Sequence, residues 1–195
     1  MRFHSTQRSQ RGVSLLEVLI SVVVFGVGAL GIAGLGAFSK RASFESVQRG
    51  TAAQLAYGVL EEMRGNKAAL TTYLASGTLG HGSIASEPTA CDVAGANCTP
   101  AEFAAHSLWV FEQMLDGGME TVGGTGTGGL VDPSACITGP AGAVAGDYVV
   151  TVVWRGTSDL TDANLNACGA ASGLYGAGNS LRRMVVVQSY INPGI

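Results

Sequence analysis

An α+β fold is predicted, in which a long N-terminal helix, apolar through its first half, packs on a small antiparallel sheet with one additional helix. Three observations predict it. Residues 13–38 form an almost unbroken apolar run, Thr99 to Glu102 open a capped helix, and residues 147–155 and 181–191 alternate as strands do.

The apolar run reads VSLLEVLISVVVFGVGALGIAGLGAF and contains one ionisable residue, Glu17. As a helix it is about 39 Å long, more than the roughly 30 Å hydrocarbon core of a bilayer. A cleaved secretory signal has a shorter apolar region, about 7–15 residues, ending in a small-residue site. An ordinary single-pass anchor explains the length and the basic leader, with Arg2, Arg8 and Arg11 and no acid in residues 1–12, but it does not explain Glu17. A charge inside a membrane helix costs about 2.5–3.5 kcal/mol on insertion scales and calls for a partner. A cut between Gly12 and Val13 supplies one, because the freed amine of Val13 lies within one helical turn of Glu17. Between chains offset along a common axis, the amine of one copy could meet the carboxylate of the next, where low dielectric strengthens the attraction.

Helical spacing continues past Phe38. Residues 39–64 lack proline and place Phe44, Val47, Leu55, Val59 and Met63 on one narrow face, with Gly65 and Asn66 as a stop signal. The Leu55, Val59 and Met63 side is expected to meet a globular body, and the whole helix to be about 78 Å long. Gly26, Gly28, Gly31, Gly34 and Gly36 each cost roughly 1 kcal/mol of helix propensity relative to alanine. Close approach between helices and simple tolerance of glycine in lipid both account for them.

Residues 65–98, rich in small polar residues, are expected to be a long irregular connection with a short helical turn at 67–75. Thr99, with Pro100 next and Glu102 three residues on, is a capping box. The helix it opens carries Phe103, Ala104, Leu108, Phe111 and Leu115 and ends at Gly117 and Gly118. The segment 117–129 is too glycine-rich to pack and is expected to be a loop. Strands follow at 147–155 and 181–191, with a possible third at 134–138. The turn-rich stretch 156–180 makes an antiparallel arrangement of the two long ones the simpler connection.

Charged residues are 13% of the chain and the formal net charge is −3, a balance that offers no basic stripe for nucleic acid. Cys91, Cys98, Cys136 and Cys168 all follow the apolar run and none forms a close-spaced pair, so disulfides in an oxidising compartment are favoured over zinc. Four cysteines allow three pairings, among which sequence does not choose. The short Cys91 to Cys98 loop favours local closure, leaving Cys136 with Cys168. Gly124 to Gly129 fits Gly-x-Gly-x-x-Gly without the strand before and helix after that a dinucleotide site requires. His81 lies in a glycine and serine loop, and His106 on the polar side of the capped helix, so both are expected at the solvated surface. No catalytic motif, metal set or cofactor is expected, and the chain is not expected to be an enzyme.

The segment from Arg11 to Ile20, RGVSLLEVLI, resembles the prepilin signature: a basic leader ending in glycine, then an apolar stretch with glutamate fifth after the cut. The resemblance implies cleavage after Gly12 by prepilin peptidase, N-methylation of Val13, where the family more often has phenylalanine, and an assembly role for Glu17. The body is similar, more loosely, to the type IV pilus modification proteins of the PilV family, through the order Cys91, Cys98, the Thr99 to Glu102 helix start, Tyr148 to Trp154 and a final arginine-bearing strand. That family implies a minor pilin acting with other minor pilins, the major pilin and the inner-membrane assembly machinery. It divides the chain into a leader at 1–12, a membrane or filament-core helix at 13–38, an amphipathic half at 39–64 and a periplasmic body at 65–195. Three basic residues before the run, Arg2, Arg8 and Arg11, are matched by Lys40, Arg41 and Arg49 after it. Charge counting therefore leaves orientation open, and the resemblance places the N-terminus in the cytoplasm and the body in the periplasm. A type II secretion pseudopilin shares the leader and helix, and a membrane-tethered periplasmic binding module or enzyme is the alternative of another class.

Overall fold

The computed structural model describes Gly12, residues 14–161 and residues 166–194. The elements are those of an α+β, pilin-like architecture: a long apolar N-terminal helix, a four-stranded antiparallel sheet and further helices. The chain divides between Ser43 and Phe44 into two compact units. Helix α1, Leu15–Gly65, belongs to the first unit up to Ser43 and to the second beyond it.

In the second unit α1 buries Ala52, Ala56, Val59, Leu60 and Met63, a spacing of three and four that keeps one face inward. Burying a Val, Leu or Met side chain contributes about 1.5–3 kcal/mol, while the two alanines let neighbouring elements come close. The expected stripe is corrected at one end and shifted in its centre. Phe44 and Val47 are exposed, at 42% and 61%, and Leu55 is only partly buried at the margin. The small residues Ala52 and Ala56, which a search for large apolar side chains passes over, face the core instead.

After α1 come a 3-10 turn, Lys67–Ala69, and the short helix α2, Leu70–Leu74, which bury Ala69, Leu70 and Tyr73. Strand β1, Thr78–Leu79, was not expected within the irregular connection; two residues are too few to leave a period. Helix α3, Pro100–Asp116, starts as the sequence requires: the Thr99 amide donates to Glu102 Oε2 at 2.8 Å and the Glu102 amide to Thr99 Oγ1 at 3.3 Å. Its Ala104, Leu108, Phe111 and Leu115 are buried.

The segment 117–129 is not the unpacked loop expected. Strands β2, Thr121–Val122, and β3, Thr125–Gly126, pair as a hairpin, and the chain folds back onto the end of α3, where the Leu130 amide donates to Leu115 O at 2.9 Å. Gly117 takes φ 75° as the α3 cap, and a Cβ there would lie 2.0 Å from Gly128 O. Gly129, at φ 82°, would place a Cβ 2.4 Å from Gly117 N. The glycines permit backbone-on-backbone packing that side chains would block.

Strand β4, Ser134–Thr138, pairs with β1 and with β5, Gly146–Arg155, which in turn pairs with β6, Arg182–Ile191, giving the order β1-β4-β5-β6, antiparallel throughout. Alternation assigns the faces. Ala135, Ile137, Tyr148, Val150, Val152, Trp154, Val187 and Ile191 join the residues of α1 and α3 in the main core. On the other face Val153 packs with Cys168 and Tyr175 of the β5–β6 connection, together with Cys136, Leu174 and Met184. The Tyr175 hydroxyl donates to Ser134 Oγ at 2.9 Å, which seats that connection on the sheet.

Candidate functional site

The N-terminal site begins at a helix start. Ser14 precedes α1 and its Oγ accepts the Leu16 amide at 3.3 Å, while Ser14 O accepts the amides of Glu17 and Val18 at 3.0 and 3.2 Å. Ser14 is therefore the N-cap and Glu17 falls in the first turn, where the free amides and the helix dipole favour a negative charge. This local reason for an acid at that position, a Ser-x-x-Glu spacing, was readable in the sequence and not anticipated. Glu17 is exposed, and among the described residues its carboxylate has no cationic partner. Gly12 is exposed with open space around its Cα. Val13 and the leader arginines Arg2, Arg8 and Arg11 lie outside the described residues.

From Leu15 to Phe38 none of the large apolar side chains is buried, including Leu19 at 64%, Phe25 at 77% and Leu35 at 71%. Apolar side chains point outward on every side. Such a helix is fitted to lipid or to other helices, not to water. Its most apolar stretch reaches a mean hydropathy of 2.5 with 0% of it buried, the composition and length of a single-pass membrane anchor. Among the described residues nothing lies within 4 Å of a Cβ built at Gly26, Gly28, Gly31, Gly34 or Gly36, which leaves this stretch open to the close approach of another helix.

The cysteines form two disulfides, Cys91 with Cys98 and Cys136 with Cys168. The first closes the loop ahead of α3, and the second fixes the β5–β6 connection to β4.

Two parts of the body were missed by sequence reasoning. Glu112 on α3 is fully buried and its carboxylate accepts the amides of Gly80, Ser83 and Ile84 at 2.8, 2.7 and 2.7 Å. Burial pushes its pKa up, but the Ser83 hydroxyl and these amides outweigh that and hold the carboxyl below its ordinary 4.5. One turn on, Asp116 accepts the amides of His81 and Gly82 at 3.0 and 2.9 Å. The i, i+4 spacing of the two acids was the available signal; it indicates a shared face but not what that face holds.

His106 corrects an expectation. Its side chain is not solvated: the residue is 5% exposed, with Nε2 3.5 Å from Glu87 Oε1 and 3.6 Å from Asp92 Oδ1. Helical periodicity did place it away from the main core, but the loop carrying Cys91 and Cys98 covers that side of α3. His81 is exposed, as expected.

Compared with known families, residues 7–33 match the model of the prokaryotic N-terminal methylation motif. Searches of curated proteins and of solved structures returned no significant match. The motif and the exposed apolar helix together support a type IV pilin-like or pseudopilin protein processed by prepilin peptidase.

Proposed function

We propose that this chain is a minor pilin, a type IV pilus modification or assembly subunit that helps prime pili used in motility or adhesion. Prepilin peptidase cuts between Gly12 and Val13 and the new Val13 amine is methylated. The protein then waits as a single-pass inner-membrane subunit, N-terminus cytoplasmic and body periplasmic, and enters the filament by packing its apolar helix against those of other minor pilins and the major pilin. The observation that carries this reading is the coincidence of the methylation motif with a helical stretch, 15–38, whose large apolar side chains are all uncovered and whose one acid, Glu17, has no cationic partner among the described residues. Docking against a neighbouring helix buries the apolar side chains, and the neighbour's terminal amine neutralises Glu17. The two disulfides fit export of the body to an oxidising compartment.

Mass spectrometry of the chain from cells with and without prepilin peptidase is expected to find residues 1–12 removed, and Val13 methylated, only when the peptidase is present. Retention of the leader in both would sink the processing step. Glu17→Ala is expected to leave membrane insertion intact while lowering incorporation into sheared pili by about tenfold or more, the effect of leaving an amine unpaired in low dielectric. Recovery with a secretion complex rather than with pili would assign the chain to the pseudopilins.

A further inference from the structure

Among the described residues, Glu87, Asp92 and His106 bring three ligand atoms within 4.8 Å of one another. We propose that they form a binding site for a zinc-class divalent cation, coordinated by His106 Nε2, a Glu87 carboxylate oxygen and an Asp92 carboxylate oxygen, with water in the fourth position. The proposal is independent of the assembly reading, since all three residues lie in the body.

Two independent observations support it. First, His106 is more than nine-tenths buried and its Nε2 is a buried atom without a hydrogen-bond partner, aimed between the two carboxylates. A buried polar atom left unpaired in a folded protein calls for a ligand. Second, the separations fit coordination better than an ion pair. A charge-assisted N–H to carboxylate bond is about 2.7–2.9 Å long, whereas Nε2 stands 3.5 and 3.6 Å from the two oxygens. Four ligands about 2.1 Å from a tetrahedral metal lie about 3.4 Å apart along each edge. The two separations from Nε2 match that edge, and all three ligand atoms lie within 4.8 Å of one another.

The donor set selects the ion. Imidazole nitrogen with carboxylate oxygen suits zinc and its neighbours, whereas calcium and magnesium sites are built from oxygen. Two carboxylates and a neutral imidazole carry a charge of −2, which a divalent ion neutralises. Asp92 follows Cys91 directly, so the Cys91–Cys98 disulfide narrows the positions its carboxylate can take before metal arrives. Bound metal would staple that loop to α3.

The test is calorimetric titration of Zn2+ into the full chain in detergent, after removal of metal by a chelator, with Co2+ absorption as a spectroscopic readout. One ion per chain at micromolar affinity and a tetrahedral Co2+ spectrum are expected. His106→Asn should abolish binding. Because that residue is buried and its replacement could disturb folding, the exposed ligands give the decisive variants: Glu87→Gln and Asp92→Asn should each weaken Zn2+ by at least about tenfold with the thermal melt of the metal-free protein unchanged. Absence of saturable binding, or binding that both carboxylate variants leave intact, overturns the site.

Discussion

Glu112→Ala is expected to destabilise the body by about 2–4 kcal/mol, because it removes one carboxylate that accepts several charge-assisted hydrogen bonds and leaves their donors to partial solvation. The amides of Gly80, Ser83 and Ile84 have their acceptor in Glu112, so its loss releases both ends of the 80–84 segment from α3 and leaves Asp116 to hold His81 and Gly82. Glu112→Gln keeps the shape and one acceptor oxygen but turns an NH2 group toward amide donors, and should lose about half as much. The pH dependence has a definite sign. The folded carboxyl titrates below its ordinary 4.5, so its contribution is complete above that value and disappears as pH falls through the folded pKa. The gap between wild type and Glu112→Gln, measured by denaturant unfolding, should therefore be constant at neutral pH and close on acidification below about 4.5. A gap that stays the same down to strongly acid pH would show that the effect is packing and not charge.

Replacing Cys136 and Cys168 together by serine is the other large loss expected. The bond joins residues 32 apart, and closing a chain of that length in the unfolded state is worth about 3–4 kcal/mol on the loop-entropy relation. The Cys91–Cys98 bond spans 7 residues and the same relation gives it about 2 kcal/mol. Removal of the first pair should lower the melting temperature of the full chain by roughly 10 °C, and removal of the second by clearly less. Cys168 also packs with Val153 and Tyr175, so its loss loosens the minor core as well as lengthening the free chain. If removing the Cys91–Cys98 pair proves the more damaging, loop closure is not what these bonds contribute.

The sequence announced those elements whose cause is local. The capping box sets the start of α3, and alternation sets β5 and β6. The third strand at 134–138 was legible because Ala135 and Ile137 alternate with Ser134 and Cys136. Elements whose cause is tertiary stayed hidden. β1 exists because β4 offers an edge, and the β2–β3 hairpin because glycines at 117 and 129 let two backbones touch. Neither cause leaves a hydrophobic period. The site was split in the same way. Gly12, Val13 and Glu17 stand out from the motif itself, whereas His106 and Glu112 sit on faces that periodicity reads as polar. They are buried by distant loops, which a helical wheel does not contain. Ala52 and Ala56 show the same limit from the apolar side, since packing chose the smallest residues over Phe44 and Val47.

Just ahead of the apolar stripe of α1, two polar side chains hold the body to the helix. Gln48 is buried, accepts the Val131 amide at 3.0 Å and donates to Gly129 O at 3.3 Å, and Glu45 Oε1 accepts the Thr157 amide at 2.5 Å. A fragment begun at Ala52 would keep the buried apolar residues of α1 yet remove the acceptors of the Val131 and Thr157 amides, the first of them part-buried. The boundary of the independently stable part is thus drawn by amide chemistry at Glu45, several residues before the oily contacts start, and any truncation meant to yield a well-behaved exported domain has to respect it.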